Sequence, residues 1–354
     1  MEQLQIHSRL YDYEALFIKD TGPVLQAFGE ETVYVIDQNV YGLYKERFAQ
    51  VDSRKIFFME PVEQKKNMET VMQIIHFWKQ AGVKKNWKVV CFGGGITQDV
   101  TTIAGNLYLR NIDWYFFPTT LLAMCDSCIG GKCGINLGQY KNQIGVFYPP
   151  KKIWIDCSFL NTLSHDDMIN GWGELLKFSL TRDVSFYQQI KAEAGSLPEC
   201  SMEEYIYKGL FIKKAIIEED EFESDLRRVL NYGHTFGHAL EAYTKNRIPH
   251  GKAVIWGIDV ANYIAWKEEL IEETLYIDIK SLIRQAFLKE EIVIEHPKEL
   301  FGIIQTDKKV KGNELSFAML DAPSHLIVYP IKIGRKLEET FFRYLEETHE
   351  YYSS

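Results

Sequence analysis

The hydrophobic and polar positions of this chain follow two different patterns. In the first half, residues 32–36, 87–92, 113–117 and 153–155 are short runs rich in apolar side chains. Uninterrupted apolar runs of this length are typical of parallel strands that are buried on both faces. Apolar residues at helical spacing over 68–81 lie between the first two runs. This alternation of strands and helices predicts an α/β domain with a Rossmann-like parallel sheet.

After Pro149 and Pro150 the pattern changes to long amphipathic stretches. A hairpin is expected where polar and apolar residues alternate over 314–320 and 326–331. Helices are predicted over five segments, 166–181, 203–221, 234–243, 253–267 and 338–347. We therefore predict an α/β fold of two domains, a parallel-sheet domain over 1–157 and a mainly α-helical domain over 158–354.

Composition and charge narrow the class of protein. The 354 residues are 46% hydrophobic and carry a net charge of -9, which argues against nucleic acid or an anionic membrane as a partner. No apolar run of membrane-spanning or signal-peptide length is present. In a chain without an export signal, six cysteines are expected to be reduced thiols, so we predict a cytoplasmic protein. Cys125, Cys128 and Cys133 have no fourth thiol nearby, so we interpret them as small buried hydrophobic residues.

A glycine-rich turn follows the run over 87–92. Gly93, Gly94 and Gly95 precede a predicted helix, whose first N–H groups and dipole favour a phosphate. Glycine also lets a pyrophosphate approach the backbone. The spacing differs from the G-x-G-x-x-G fingerprint, so a tight structural turn is the alternative interpretation.

Three histidines offer a metal site. His234 and His238 are four residues apart in a predicted helix and project from one face, and His250 precedes Gly251. Two imidazoles and one carboxylate with an open position are typical of a catalytic zinc site. Spacing alone does not identify the carboxylate, and histidines of the core or the surface are the alternative.

Basic residues recur within apolar or glycine-rich surroundings. Singly, such residues are usually solvated surface charges. Together they suggest a polyanionic substrate, because lysine and arginine bind phosphate and carboxylate directly. The members of this set are Lys132, Lys141, Lys177, Lys213 and Arg227.

Three motifs together resemble the 3-dehydroquinate synthase family: residues 118–132 (PTTLLAMCDSCIGGK), 173–177 (GELLK) and 230–238 (LNYGHTFGH). The resemblance extends over residues 30–330. It implies a homodimeric lyase of the shikimate pathway of aromatic amino acid biosynthesis. Such an enzyme converts 3-deoxy-arabino-heptulosonate 7-phosphate into 3-dehydroquinate and phosphate, and it oxidises the sugar phosphate transiently with NAD.

The resemblance also implies residue roles. Glu174, His234 and His250 would bind Zn²⁺ or Co²⁺. The implied catalytic residues are Lys132, Lys177, Lys213, Glu174 and His238. The implied NAD site comprises Asp37, Asn39, Glu63, Lys66, Gly94, Gly95, Asp99, Thr119 and Thr120. The implied substrate site comprises Arg110, Asp126, Lys132, Lys141, Asn142, Lys213, Arg227, Asn231, His238 and Lys309.

Related functions differ in the substrate. Retention of Arg227, Asn231 and His238 favours a substrate with a carboxylate over the sedoheptulose 7-phosphate and glucose 6-phosphate used by valiolone-type and scyllo-inosose-type cyclases. An aminated dehydroquinate, an NAD- and metal-dependent polyol dehydrogenase and a non-catalytic binding protein are the other hypotheses. The sequence departs from the family's usual residues at Val62, Gln98, Cys133, Tyr140 and Lys252.

Overall fold

The computed structural model describes residues 2–196, 202–245, 247–288, 292–305, 310–311 and 314–352. The chain divides into two compact units. The first comprises Met1–Ser164 and Met202–Phe222, and the second comprises His165–Ser201 and Glu223–Ser354. The segment from Met202 therefore joins the first unit, although it follows the predicted boundary at residue 157. The reason is packing: the ring of Tyr207 lies 6.1 Å from that of Phe17.

Nine strands lie among the described residues of the first unit. Seven form one sheet in the order β1-β2-β9-β6-β5-β3-β4, in which only β1 is antiparallel to its neighbour. The other two, β7 and β8, form a hairpin. The bounds are β1 Gln3–Ile6, β2 Tyr13–Phe17, β3 Thr32–Asp37, β4 Ile56–Met59, β5 Lys88–Gly93, β6 Trp114–Pro118, β7 Lys132–Leu137, β8 Tyr140–Phe147 and β9 Lys152–Ile155.

The four predicted strands are present as β3, β5, β6 and β9, so the predicted parallel sheet is confirmed. Five strands were not predicted. Strand β8 is the clearest case, since its first four residues, YKNQ, are all exposed and polar side chains predominate among them. A strand without a buried face leaves no alternation of polar and apolar residues in the sequence.

Most helices of the first unit follow its strands along the chain. The predicted helix over 68–81 is confirmed, and the Asn67 side chain caps it by accepting a hydrogen bond from the N–H of Thr70 at 2.9 Å. The bounds are α1 Gly22–Gln26, α2 Gln38–Leu43, α3 Met68–Gln80, α4 Gly95–Leu107 and α7 Met202–Glu219, with a π-helical turn over Ala123–Ser127.

The sheet contains a reversal of strand order beside β3. Strand β4 pairs with one edge of β3, and β5 pairs with the other. The chain therefore leaves the ends of β3 and β5 in opposite directions. In α/β sheets, the crevice between two such diverging connections is the usual ligand site. Asp37 ends β3 and Gly93 ends β5, so both residues lie at this crevice.

The second unit is mainly helical, as predicted, and its small sheet includes the predicted hairpin as β11 and β12. Helix α9 is its centre, since every residue from Ala253 to Ala265 is buried. The bounds are α5 His165–Arg182, α6 Val184–Ala192, α8 His234–Tyr243, α9 His250–Lys267, α10 Glu273–Ala286, α11 Pro297–Gln305, α12 Arg335–Tyr352, β10 Val310–Lys311, β11 Glu314–Ala322 and β12 His325–Lys332.

Glycine permits the close approach of α5 to α9. A Cβ atom at Gly173 would lie 2.8 Å from the carbonyl oxygen of Gly251, a separation that a real side chain does not tolerate. This approach brings the middle of α5 against the first turn of α9. Among the described residues, no helix combines the length and the apolar composition that crossing a membrane requires.

Candidate active site

Three side chains of the second unit converge where α5, α8 and α9 meet. Glu174 lies in the middle of α5, while His234 and His250 are the first residues of α8 and α9. The Nε2 atoms of both histidines lie 3.4 Å from Oε1 of Glu174. Two ligand atoms bound tetrahedrally at about 2.1 Å from one ion are themselves about 3.4 Å apart. The spacing therefore fits a single small cation.

Both imidazole rings are oriented by an acceptor at the opposite nitrogen. Nδ1 of His234 lies 3.0 Å from the carbonyl oxygen of Tyr232, and Nδ1 of His250 lies 3.2 Å from Oε2 of Glu241. Because each of these oxygens accepts a hydrogen bond from Nδ1, the ring carries its hydrogen on Nδ1. The Nε2 atom of each ring is then the one that faces the cation position, as is usual for metal-binding histidines.

Glu174 is an ionised carboxylate inside the protein. Its side chain is 1% exposed and forms an ion pair with Lys177, one helical turn later. Burial raises the pKa of Glu174, but Lys177 and the two histidines outweigh burial and hold the pKa well below its usual value. Among the described residues, neither oxygen accepts a hydrogen bond of regular geometry. A buried carboxylate with this coordination capacity, beside two imidazoles, fits Zn²⁺ or Co²⁺.

The pKa values of the two histidines shift in opposite directions. Burial lowers the pKa of His234. Burial also acts to lower the pKa of His250, but its contacts with Glu174 and Glu241 outweigh burial and raise the pKa to about 9. A cation that binds at Nε2 replaces a proton there, so the negative environment of His250 suits a cation.

A second set of possible metal ligands lies beside the first. His238, Glu241 and His250 also have ligand atoms within 4.8 Å of one another, and Nε2 of His238 lies 4.0 Å from Oε2 of Glu241. The side chain of His238 is 50% exposed, whereas that of His234 is 13% exposed. The first set is the better enclosed of the two.

In the first unit, the glycine turn forms the N-terminus of α4. Gly94 is the residue before the helix, and a Cβ atom there would lie 2.9 Å from Cγ2 of Thr120. A Cβ atom at Gly95 would have no neighbour nearer than Oγ of Ser127 at 4.0 Å. The helix N-terminus therefore opens onto space that suits a phosphate group.

The predicted NAD residue Asp37 lies at the end of the neighbouring strand β3 and is buried. Its Oδ1 accepts hydrogen bonds from the N–H groups of Asn39 at 2.8 Å and Val40 at 3.4 Å. Asp37 thereby caps α2 and fixes the chain beside the glycine turn. Thr119 is buried after β6, and Oγ1 of Thr120 accepts a hydrogen bond from the N–H of Ala123 at 3.2 Å.

The remaining predicted NAD residues contact the β7–β8 hairpin. Lys66 Nζ lies 2.7 Å from Oδ2 of Asp99 and donates a hydrogen bond to Oδ1 of Asn142 at 2.8 Å. Glu63 accepts a hydrogen bond from Asn136 at 2.7 Å. Burial lowers the pKa of Lys66, but the Asp99 carboxylate outweighs it and the pKa is raised. The structure thus joins predicted NAD residues and the predicted substrate residue Asn142 in one polar cluster.

The other predicted substrate residues of the first unit lie in three places. Asp126, in the π-helical turn, pairs with Lys213 of α7, whose Nζ lies 2.7 Å from Oδ1. Lys132 and Lys141 extend from the hairpin with exposed side chains. Arg110 is exposed, and its φ of 56° places it in the left-handed region.

In the second unit, the short helix Leu226–Asn231 carries Arg227, which is buried, and Asn231, which is partly buried. Nδ2 of Asn231 donates a hydrogen bond to Oε1 of Glu223 at 2.8 Å. Glu223 and Glu241 were not predicted from the sequence. Glu241 lies three residues after His238, a spacing that could have identified it, whereas no spacing indicates Glu223. Lys309 lies outside the described residues.

The five departures from the family pattern have different surroundings. Gln98 is buried and forms two hydrogen bonds with Ser127, of 2.7 and 2.6 Å. Lys252 pairs with Asp166 at 2.8 Å. The Cys133 thiol contacts the carbonyl oxygen of Val146 at 3.5 Å, and Val62 and Tyr140 are exposed.

Solved structures of known proteins define the class of fold. A 2-deoxy-scyllo-inosose synthase with carbaglucose-6-phosphate, NAD⁺ and Co²⁺ matches with a TM-score of 0.87 and 22% identity, over 97% of this chain and 99% of that one. A 2-epi-5-epi-valiolone synthase from Streptomyces hygroscopicus subsp. jinggangensis 5008, with NAD⁺ and Zn²⁺ bound, matches with a TM-score of 0.85 and 23% identity. That match covers 95% of this chain and 97% of the synthase. A probable glycerol dehydrogenase from Sinorhizobium meliloti 1021 matches with a TM-score of 0.63 and 14% identity, over 93% of this chain and 95% of the dehydrogenase. The fold is that of the sugar-phosphate cyclases, and dehydrogenases resemble it more distantly.

The sequence comparisons identify the family within this class. Residues 56–170 match the model of the 3-dehydroquinate synthase N-terminal region, and residues 171–310 match that of the C-terminal region. The 3-dehydroquinate synthase of Alkaliphilus metalliredigens (strain QYMF) is 34% identical over 90% of this chain and 92% of its own. That of Dictyoglomus thermophilum is 35% identical over 78% of each. The chain belongs to the 3-dehydroquinate synthase family, which confirms the resemblance and the fold class predicted from sequence.

Proposed function

We propose that this chain is a 3-dehydroquinate synthase, which converts 3-deoxy-arabino-heptulosonate 7-phosphate into 3-dehydroquinate and phosphate. The proposal depends first on one observation. Two imidazole nitrogens lie 3.4 Å from the same oxygen of the buried, ionised Glu174. This spacing is that of ligand atoms around one small cation, and the carboxylate that supplies the shared oxygen is buried. The names of the sequence relatives agree with the proposal.

The proposed cofactors are NAD and a divalent cation, Zn²⁺ or Co²⁺, the groups bound in the two cyclase structures. Glu174, His234 and His250 would bind the cation, and the α4 N-terminus would bind the NAD pyrophosphate. When bound, NAD removes a hydride from the substrate and returns it, and the cation acts as a Lewis acid toward substrate oxygens. The predicted NAD residues around Asp37 and Asp99 would hold the rest of the dinucleotide.

The protein's own cations would direct the elimination of phosphate. Once the ring carries a ketone, loss of the neighbouring proton lets the C–O bond break, and both bonding electrons leave with the phosphate. Lys132, Lys141 and Lys213 would stabilise the charge that develops on the phosphate oxygens, while Lys177 would stabilise the enolate. Lys213 is held in place by its pairing with Asp126 before that charge develops.

The substrate is proposed to carry a carboxylate. Arg227 is buried, with 5% of its surface exposed, and it lies in the same short helix as Asn231. A guanidinium binds a carboxylate in a planar, bidentate manner, and a keto-acid phosphate offers it a carboxylate in addition to the phosphate that the lysines would bind. We therefore propose the heptulosonate phosphate rather than sedoheptulose 7-phosphate.

We further propose that the enzyme acts as a homodimer in the cytoplasm. The support for a dimer is the segment that carries Arg110. Leu109, Arg110 and Asn111 all have positive φ, of 49°, 56° and 66°, and Lys85 donates hydrogen bonds to the carbonyl oxygens of all three. Such strain at an exposed arginine suits a residue that reaches toward a second copy of the chain.

Phosphate release by the purified enzyme with NAD and Zn²⁺ tests the proposal. We expect release from 3-deoxy-arabino-heptulosonate 7-phosphate, none from sedoheptulose 7-phosphate, and loss of activity in Glu174→Gln. Release from sedoheptulose 7-phosphate alone would refute the carboxylate argument. Net formation of NADH from glycerol, without phosphate release, would instead identify a polyol dehydrogenase.

A further inference from the structure

We infer that Glu241 is a positioning residue that sets the metal affinity of the Glu174–His234–His250 site. The inference rests on the metal site of the proposed function, but it concerns a residue to which neither the sequence nor the family resemblance assigned a role. Glu241 lies in α8, and its side chain is 9% exposed. Its Oε2 is the atom that faces His250.

His250 lies between two carboxylates. Its Nε2 atom is 3.4 Å from Oε1 of Glu174, and its Nδ1 atom is 3.2 Å from Oε2 of Glu241. An ionised carboxylate only accepts hydrogen bonds, so Glu241 requires a hydrogen on Nδ1. That requirement leaves the lone pair of Nε2 directed at the cation position. Glu241 therefore selects the tautomer of His250 that can bind a metal.

The two metal-binding histidines do not have equivalent supports. His234 is oriented by the neutral carbonyl oxygen of Tyr232, an atom of the backbone that no side-chain substitution removes. His250 depends on a side chain that carries a full negative charge. A carboxylate partner also raises the basicity of the imidazole more than a carbonyl does, so it strengthens the bond at Nε2.

The charges of the site also indicate that Glu241 favours the binding of a cation. Glu174 and Glu241 supply two negative charges, Lys177 supplies one positive charge, and neutral imidazoles supply none. With a divalent cation bound and both imidazoles neutral, the net charge of these groups is plus one, and loss of the charge of Glu241 would make it plus two. Removal of the charge of Glu241 makes the site less favourable for a cation, in addition to releasing the His250 ring.

Glu241 also faces His238, whose Nε2 lies 4.0 Å from the same Oε2 atom. One carboxylate thus neighbours a metal-binding residue and a predicted substrate residue. Because His238, Glu241 and His250 could themselves hold an ion, the role of Glu241 as a direct ligand is the competing outcome that the experiment must separate.

The test measures metal affinity without substrate, so it is independent of whether the enzyme makes dehydroquinate. The full-length protein is stripped of metal, and the Zn²⁺ dissociation constant is measured by competition with a chromophoric chelator. In Glu241→Gln we expect affinity to fall about tenfold to a hundredfold, the range typical of partners of metal-binding histidines. In the same variant, the visible absorption spectrum of bound Co²⁺ should shift, because a reoriented ring changes the ligand field.

Glu347→Gln is the matched control. It removes the same charge from the same unit, and Glu347 also contacts α9, through Tyr263 at 2.8 Å. Tyr263 lies about 20 Å along the helix from His250. We expect Zn²⁺ affinity within twofold of the unaltered protein. If Glu241→Gln folds poorly, Glu241→Asp replaces it: this variant keeps the charge on a shorter side chain and should bind Zn²⁺ more weakly than the unaltered protein.

Two results would overturn the inference. The first is a Glu241→Gln protein that binds Zn²⁺ as tightly as the original and gives an unchanged Co²⁺ spectrum. The second is a loss of Zn²⁺ affinity in His238→Ala as large as that in His234→Ala, since this result would make Glu241 a ligand of a different site.

Discussion

Lys213 contacts Asp126 at two points, with Nζ 2.7 Å from Oδ1 and a hydrogen bond of 2.6 Å to the carbonyl oxygen of the same residue. Lys213 lies in α7, and Asp126 lies in the π-helical turn far earlier in the chain. The pair holds the turn in place against α7. It also helps to explain why α7 belongs to the first unit.

Removal of this lysine should destabilise the first unit. Lys213 is 5% exposed, and loss of one partner of a buried pair leaves the other charge uncompensated. We expect Lys213→Met to lower the free energy of unfolding by about 3 kcal/mol. Urea unfolding of Lys213→Met, Asp126→Asn and the double variant measures the coupling. Strictly additive losses would show that the two side chains do not stabilise each other.

Metal should stabilise the protein through Glu174. A ligand that binds only the folded state at about 100 times its Kd adds about 2.7 kcal/mol to the free energy of unfolding. We expect that gain on addition of Zn²⁺ to the metal-free protein and no gain in Glu174→Gln. Glu268→Gln, which loses a carboxylate paired with Lys336, is the charge-matched control and should keep the gain. Equal stabilisation of all three proteins would place the cation elsewhere.

Two glycines of the same turn should respond differently to alanine. A Cβ atom at Gly93 would lie 2.6 Å from Cβ of Thr97, so Gly93→Ala should cost about 1–3 kcal/mol of stability. Gly95 has open space around its Cα, so Gly95→Ala should fold normally. It should nevertheless bind NAD at least about tenfold more weakly, a loss of about 1.4 kcal/mol, because the methyl group occupies the phosphate position. Calorimetric titration with NAD checks this, and unchanged affinity in Gly95→Ala would remove the turn from the NAD site.

The buried cysteines should be unreactive in the folded protein. Burial raises the pKa of Cys91 and Cys128 to about 12, so at pH 8 only roughly one thiol in ten thousand is ionised. The thiolate is the reactive form. Labelling with a disulfide reagent, followed by mass spectrometry, should leave both residues unmodified until guanidinium unfolds the chain. Rapid modification of Cys128 in the native protein would contradict its interpretation as a small buried hydrophobic residue.

The parts of the fold with strong local signals could be predicted from the sequence. Strand β5 is buried on both faces and reads as an apolar run, and α8 has the predicted bounds, His234–Tyr243. Both patterns arise from the chain's own periodicity and need no distant partner. Strand β8 has no buried position and so gives no such signal, while the alternation of polar and apolar residues in the edge strand β1 covers only four residues.

The sequence by itself determined the family, the parallel sheet, the glycine turn and the histidines that converge on one site. These depend on residue types in short, ordered motifs. The tertiary structure alone decided that Nε2 of His250 faces Glu174 while Nδ1 faces Glu241, and that Lys213 reaches back to Asp126. Those relationships join residues from different elements. Their distances follow from how closely α5, α8 and α9 pack in the second unit, and from how α7 packs on the π-helical turn in the first. No local periodicity encodes that packing.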